Sequence, residues 1–225
     1  MASHPRKRPL VWLFDLDDTL HDAGAASMPH LHEAMGEYVQ RELGLGPAEA
    51  SALRTHYWQR YGATLLGLVR HHEVQADDFL RRTHELPGLE ARIRGDRADI
   101  AALGRLSGRK IILTNAPLAY AKRVLKVLGL QREFEAVLSI ESMVQFGQLR
   151  PKPDARMLRA VAAGLGVLPE HCVLVEDTLV HQKSARSIGM KTVWMRRWLR
   201  GKRSRFYRPT YVGQAVSRLR DVRGA

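Results

Sequence analysis

Asp15, Asp17 and Thr19 stand as Asp-x-Asp-x-Thr directly after the apolar run Leu10-Val11-Trp12-Leu13-Phe14. A short apolar run closed by carboxylates reads as a buried parallel strand opening into a loop, where open α/β sheets hold their ligands. Period-two alternation along an extended chain directs Asp15 and Asp17 to one side. Two converging carboxylates are costly unless a cation or a shared proton relieves them. The chemistry this permits is attack by one carboxylate and proton transfer by the other, with a divalent metal beside them. The same segment also reads as a capped strand-to-helix turn, so the rest of the chain must choose.

Three further signals follow in chain order. Thr114-Asn115-Ala116-Pro117 offers a hydroxyl, an amide and free backbone N–H groups at a helix start, a neutral cradle for an anion. Arg150-Pro151-Lys152-Pro153-Asp154 sets one Lys between two prolines, a stiff mount from which a point charge can be aimed at an oxyanion. Val175-Glu176-Asp177-Thr178 is a second acidic pair, suited to completing an oxygen site for a hard cation. Each alone is ordinary turn or cap chemistry; together they describe a phosphate site.

These residues have to be positioned by strands. Leu10 to Phe14, Arg109 to Thr114, Phe134 to Ser139, Cys172 to Glu176 and Lys191 to Met195 read as strands, with a last one at Thr210-Tyr211-Val212. Leu118 to Leu130, Asp154 to Leu165 and Thr178 to Ile188 read as helices between them. Alternating strands and helices predict an α/β fold with a Rossmann-like parallel sheet. From Ala23 to Leu103 helical periodicity takes over, with candidates at Met28 to Leu43, Pro47 to Tyr61, Leu65 to His72 and Ala76 to Thr83. The expected organisation is a core of residues 1–22 and 104–225 with an all-helical cap, 23–103, standing over the site.

Composition sets outer limits. With 225 residues, 45% of them hydrophobic, the chain can bury a full core. No apolar stretch approaches the roughly 20 residues of a membrane span. Arg6-Lys7-Arg8 precedes too short an apolar region to act as a signal peptide. The lone Cys172 fits a reducing compartment and a buried strand position; a cytoplasmic protein is expected. A net charge of +13 favours anionic ligands. Arg196 to Arg208 interleaves cations with aromatics, which reads as a solvated basic connection or, from another functional class, as a nucleic-acid-binding segment. No duplex-reading motif accompanies it. His30, His32, His71 and His72 lie in the helical segment, but the carboxylates already supply a hard-cation site.

In these four motifs the chain resembles the haloacid dehalogenase superfamily. The resemblance implies that Asp15 is the nucleophile, forming an aspartyl-phosphate, and that Asp17 is the acid and base. It implies Mg2+ held by the Asp15 carboxylate, the Asp17 carbonyl and Asp177, with Glu176 as a ligand or close behind. Thr114, the Asn115 amide and Lys152 would hold the phosphoryl oxygens. The second aspartate separates phosphatases from dehalogenases, which have no alkoxide to protonate. His181 stands near where the superfamily often has an Asn, and it either orients the Asp177 region or is a plain helix residue.

The segment His56 to His72, with Tyr61-Gly62 and Gly67-Leu68-Val69, followed by Asp78-Phe79 and Glu85-Leu86-Pro87, looks like the cap of the pyrimidine 5′-nucleotidase family. That resemblance implies a small-molecule phosphomonoester as the partner, a pyrimidine nucleotide such as UMP or CMP. Tyr57, Tyr61 and Arg70 are then candidates to stack on or hydrogen-bond the base, or else they are packing and surface residues. The alternative enzyme is a broad phosphatase or phosphomutase acting on sugar phosphates or phosphoglycolate. Nucleic acid is not the expected partner, and oligomeric state carries no signature in the sequence.

Overall fold

The computed structural model describes residues 10–199 and 207–223. Strand β1 (Val11–Phe14) leads into helices α1 (Ala23–Ala26), α2 (Met28–Leu43), α3 (Pro47–Tyr61), α4 (Thr64–His72), α5 (Ala76–Thr83), α6 (Leu89–Arg92) and α7 (Arg97–Leu103). Then come β2 (Arg109–Leu113), α8 (Leu118–Leu128), β3 (Ala136–Leu138), a hairpin of β4 (Val144–Gln145) and β5 (Gln148–Leu149), α9 (Ala155–Gly164), β6 (Cys172–Glu176), α10 (Leu179–Ser187), β7 (Lys191–Met195) and β8 (Gln214–Val216).

The main sheet runs β3-β2-β1-β6-β7-β8, and every neighbouring pair is parallel. β1 is flanked by β2 and β6, with Phe14 level with Ile112 and Val175. The chain builds outward from β1 on one side through β3 and then returns to its other side, so the carboxyl end of β1 is the switch point where such sheets bind ligands.

Both faces of the sheet are covered, which is why its strands read as unbroken apolar runs. Trp12 and Phe14 join Ile112, Val175 and Met195 in one layer with Tyr120, Val124 and Leu125 of α8. Val11 and Leu13 join Ile111, Leu174 and Cys172 in the other with Met157, Leu158 and Ala185 of α9 and α10. Burial pushes the Cys172 thiol up to about 11, an inert side chain in the core.

Helices α2 to α5 close around their own core of Tyr38, Val39, Ala50, Tyr57, Leu65, Leu68, Phe79 and Leu80, joined by Ile140 from the loop after β3. Leu89, Ile93 and Leu103, on and around α6 and α7, belong instead to the cluster under the sheet. The end of α3 turns at Gly62, with φ of 82°, where an added Cβ would stand 3.7 Å from Pro153 Cδ. The helical segment therefore touches the loop that carries Lys152.

The last strand is Gln214–Val216 and not Thr210-Tyr211-Val212, a correction to the sequence reading. Val212 N–H closes a turn onto Pro209 O, and the Thr192 hydroxyl donates to Tyr211 O while accepting from Gly213 N–H. These bonds use the β-prone residues as a turn and move pairing onward. Of the basic segment, Arg200 to Phe206 lie outside the described residues, as does Arg6-Lys7-Arg8. Arg197 is ion-paired with Asp96 and Asp99 at 2.7 and 3.1 Å. No helix among the described residues is long and apolar enough to cross a membrane.

Candidate active site

The ends of β1, β2 and β6 bring the motifs together. Asp15 N–H donates to Val175 O and Thr114 N–H to Leu138 O, so the parallel ladder carries past the last strand residues and fixes both side chains at the sheet edge. Asp154 accepts from the N–H groups of Arg156 and Met157, capping α9 and anchoring the loop before it. That loop delivers Lys152, whose side chain is only 1% exposed, to Asp15 Oδ1 at 2.6 Å and Glu176 Oε2 at 2.7 Å.

Three carboxylates, those of Asp15, Glu176 and Asp177, each place an oxygen within 4.8 Å of the others. Burial and the charge of Glu176 raise Asp15, and the same two causes raise Asp177. Glu176 is driven below the ordinary carboxylate range because Lys152 and His181 outweigh its burial. One ammonium among three carboxylates leaves an excess of negative charge. The donors are all hard oxygens, so the set fits a divalent cation such as Mg2+. It is the only such group among the described residues. His71 and His72 are instead bonded to tyrosines.

The Asp17 carboxylate has partners of its own: Oδ1 lies 2.8 Å from His21 Nε2 and 2.7 Å from the Tyr120 hydroxyl. Asp18 takes a left-handed φ of 54° and the chain folds back, with Asp17 bridging to His21, while the Asp17 charge still acts on Asp15. Burial pushes the Asp17 carboxyl up, but hydrogen bonds from His21 and Tyr120 more than offset it, and it rests below its ordinary value. Its carboxylate stands outside the three-carboxylate group.

Thr114 Oγ1 is buried and accepts from Ala116 N–H at 3.0 Å, leaving its proton to donate. The Asn115 side chain pairs with the lysine loop: Oδ1 accepts from Lys152 N–H at 2.9 Å and Nδ2 donates to Lys152 O at 3.0 Å, which locks that loop to the cradle. His181 Nδ1 stands 3.1 Å from Glu176 Oε2, a close contact without hydrogen-bond alignment. The contact is with Glu176, the neighbour of Asp177 in the chain.

The cap candidates separate. Tyr57 is 6% exposed and presses its ring on Gly67, where an added Cβ would meet Cγ at 2.1 Å. It is a packing residue, bonded through its hydroxyl to His72 Nε2 at 2.7 Å. Tyr61 is half-buried beside the turn at Gly62, its hydroxyl 2.6 Å from His71 Nε2, and exposed Arg70 lies over its ring at 5.9 Å. Sequence reasoning missed His21, Ser27, His84 and Tyr120 around Asp17. Only the four-residue spacing of His21 from Asp17 was visible in the chain.

Residues 11–189 match the haloacid dehalogenase-like hydrolase family. Hexitol phosphatase A of Escherichia coli is 31% identical over 74% of this chain and 73% of its own length. A phosphoglycolate phosphatase of Rhodospirillum rubrum is 28% identical over 83% of this chain and 79% of its own. Phosphate metabolism protein 8 of Saccharomyces cerevisiae is 24% identical over 80% of this chain, but the match spans only 59% of that longer protein. The crystal structure of CbbY from Rhodobacter sphaeroides in complex with phosphate shares the fold, with a TM-score of 0.63 at 20% identity over 96% of this chain and 97% of that one. The chain belongs to the haloacid dehalogenase-like hydrolases.

Proposed function

We propose that this protein is a Mg2+-dependent phosphatase of small phosphomonoesters, phosphorylated sugars or phosphoglycolate being the best-supported class. The observation that carries the chemistry is Asp15 held by Lys152 at a sheet edge, with Asp17 anchored separately to proton-bearing partners. The substrate class rests on the names of the relatives, a hexitol phosphatase and a phosphoglycolate phosphatase.

Asp15 attacks phosphorus in line, and its new P–O bond replaces the ester P–O bond. Asp17 gives a proton to the departing oxygen. It later takes one from the water that splits the aspartyl-phosphate. An incoming phosphate dianion raises Asp17 by charge repulsion and so favours the protonated form it needs for the first step. Lys152, the Thr114 hydroxyl and the Asn115 N–H receive the equatorial oxygens as charge develops. Asp15, Asp177 and the Asp17 carbonyl would hold Mg2+, which supplies charge neutralisation at the phosphoryl group. Glu176, bonded to Lys152, keeps the ammonium aimed at Asp15.

A pyrimidine nucleotide is the second reading, and Tyr61 and Arg70 support it as a stacked pair at the edge of the cap, near the turn that touches Pro153. Tyr57 lends it no support. A phosphate-release panel with Mg2+ decides between them: phosphoglycolate, glucose 6-phosphate and sorbitol 6-phosphate against UMP and CMP. The small-ester reading expects the first group to exceed the nucleotides in kcat/KM, and a nucleotide preference would overturn it. EDTA and Asp15→Asn are each expected to abolish turnover; full activity in either would overturn the phosphatase mechanism.

A further inference from the structure

Tyr120 has a place in the site that neither the nucleophile nor the phosphate cradle explains. It lies in the first turn of α8 and is 2% exposed, with its hydroxyl 2.7 Å from Asp17 Oδ1 and 2.9 Å from Ser27 Oγ. Ser27 immediately precedes α2, on the chain leaving for the cap. The His84 ring, just after α5 on the chain returning from it, meets the Tyr120 ring edge-on at 5.8 Å between centroids. Nδ1 of His84 stands 3.0 Å from Leu80 O, which fixes that ring against the phenol. Both connections of the cap therefore contact the side chain that contacts Asp17.

Both donors to Asp17, Tyr120 and His21, act on Oδ1. Oδ2 is left as the oxygen that carries a proton. We propose that Tyr120 is a positioning residue: by holding Oδ1 it presents Asp17 Oδ2 to the leaving oxygen, and through Ser27 and His84 it ties that orientation to the cap. This rests on the phosphatase reading above. As the Asp15 oxygen bonds phosphorus and the ester P–O bond breaks, the proton on Oδ2 passes to the departing alkoxide. Asp17 is left as a carboxylate whose charge Tyr120 and His21 meet at Oδ1.

Leaving-group dependence tests the proposal. kcat/KM reports steps only as far as departure of the alcohol, so breakdown of the aspartyl-phosphate does not enter it. Nitrophenolate leaves without a proton, whereas an alkoxide requires one. Wild type, Tyr120→Phe and Asp15→Asn are compared on p-nitrophenyl phosphate and on the best alkyl ester of the panel. General acid catalysis is worth about 100- to 10,000-fold. Misplacing the acid is expected to lower kcat/KM for the alkyl ester about tenfold or more, with less than about threefold change for the aryl ester. An equal fall on both esters, or no fall on either, overturns the proposal. A wild type inactive on both, or an active Asp15→Asn, overturns the phosphatase reading and the proposal with it. Should thermal unfolding show Tyr120→Phe to be misfolded, Ser27→Ala replaces it, with a smaller shift in the same ratio expected and an unchanged ratio overturning the idea.

Discussion

Replacing Gly67 by Ala tests whether Tyr57 is part of the cap core. The new methyl would fall 2.1 Å from Tyr57 Cγ and 2.5 Å from Cδ1 and Cδ2. Carbon atoms rest about 3.5–4.0 Å apart, so the ring must retreat by more than about 1 Å. It has little room, being 6% exposed and tied through its hydroxyl to His72. Overpacking of this kind costs about 3 kcal/mol at its upper range, and exchanging Gly for Ala inside a helix returns about 1 kcal/mol. Gly67→Ala alone should therefore destabilise by about 2 kcal/mol. Tyr57→Ala alone should cost about 3–5 kcal/mol. With the ring already gone, adding Gly67→Ala should change sign and stabilise by up to about 1 kcal/mol. The cycle then carries a coupling of about 3 kcal/mol, measurable by urea unfolding of the four proteins. A neutral or stabilising Gly67→Ala in the native background, or a cycle closing within about 0.5 kcal/mol, would refute the packing argument. A rise in KM without loss of stability would return Tyr57 to the substrate.

Lys152→Met leaves Asp15 and Glu176 buried without their ammonium, at a cost of about 3–5 kcal/mol near neutral pH. With the pairing charge gone, Glu176 rises above its unfolded value and Asp15, raised already in the wild type, rises further. Stability of the variant is then fullest on the acid side and declines as pH rises through the folded values, so its deficit against wild type should shrink on acidification. Urea titrations in EDTA check this, and a deficit that ignores pH would contradict it. Arg123 donates to Leu86 O at 3.2 Å and to both oxygens of Glu90 at 2.6 and 3.0 Å, and also contacts His84 O and Glu85 O. Arg123→Ala should lower stability by about 1–3 kcal/mol and speed proteolysis between Thr83 and Leu89. An unchanged cleavage rate would show that the arginine does not brace this linker.

The strand-end placement of the motifs was legible because it is local. Asp15, Lys152 and Asp177 each follow from a strand or proline pattern within a few residues, and sheet order then brings them together. The boundaries of α2, α3 and α5 were legible for the same reason, since periodicity and the glycines or prolines at their ends agree. Asp17 was legible in identity but its partners were not, because one of them, Tyr120, lies 103 positions away. The packing role of Tyr57 depends on the Gly67 backbone, and no pattern along one helix reveals a contact made by the next. The last strand was misplaced because Thr210-Tyr211-Val212 has the stronger intrinsic preference, whereas the Thr192 hydroxyl, from a neighbouring strand, claims it for a turn.

Helix α8 begins just after Thr114 and Asn115 and, within its first two turns, meets Asp17 through Tyr120 and the segment returning from α5 through Arg123. Exchanging caps between relatives is thus not a matter of matching two cut points. On the proposed mechanism, a transplanted helical segment that does not bring its own side chains for the α8 surface would arrive with its fold intact and its proton chemistry mistuned. On that mechanism the helix face, and not the loop ends alone, would define the socket into which new specificities can be fitted.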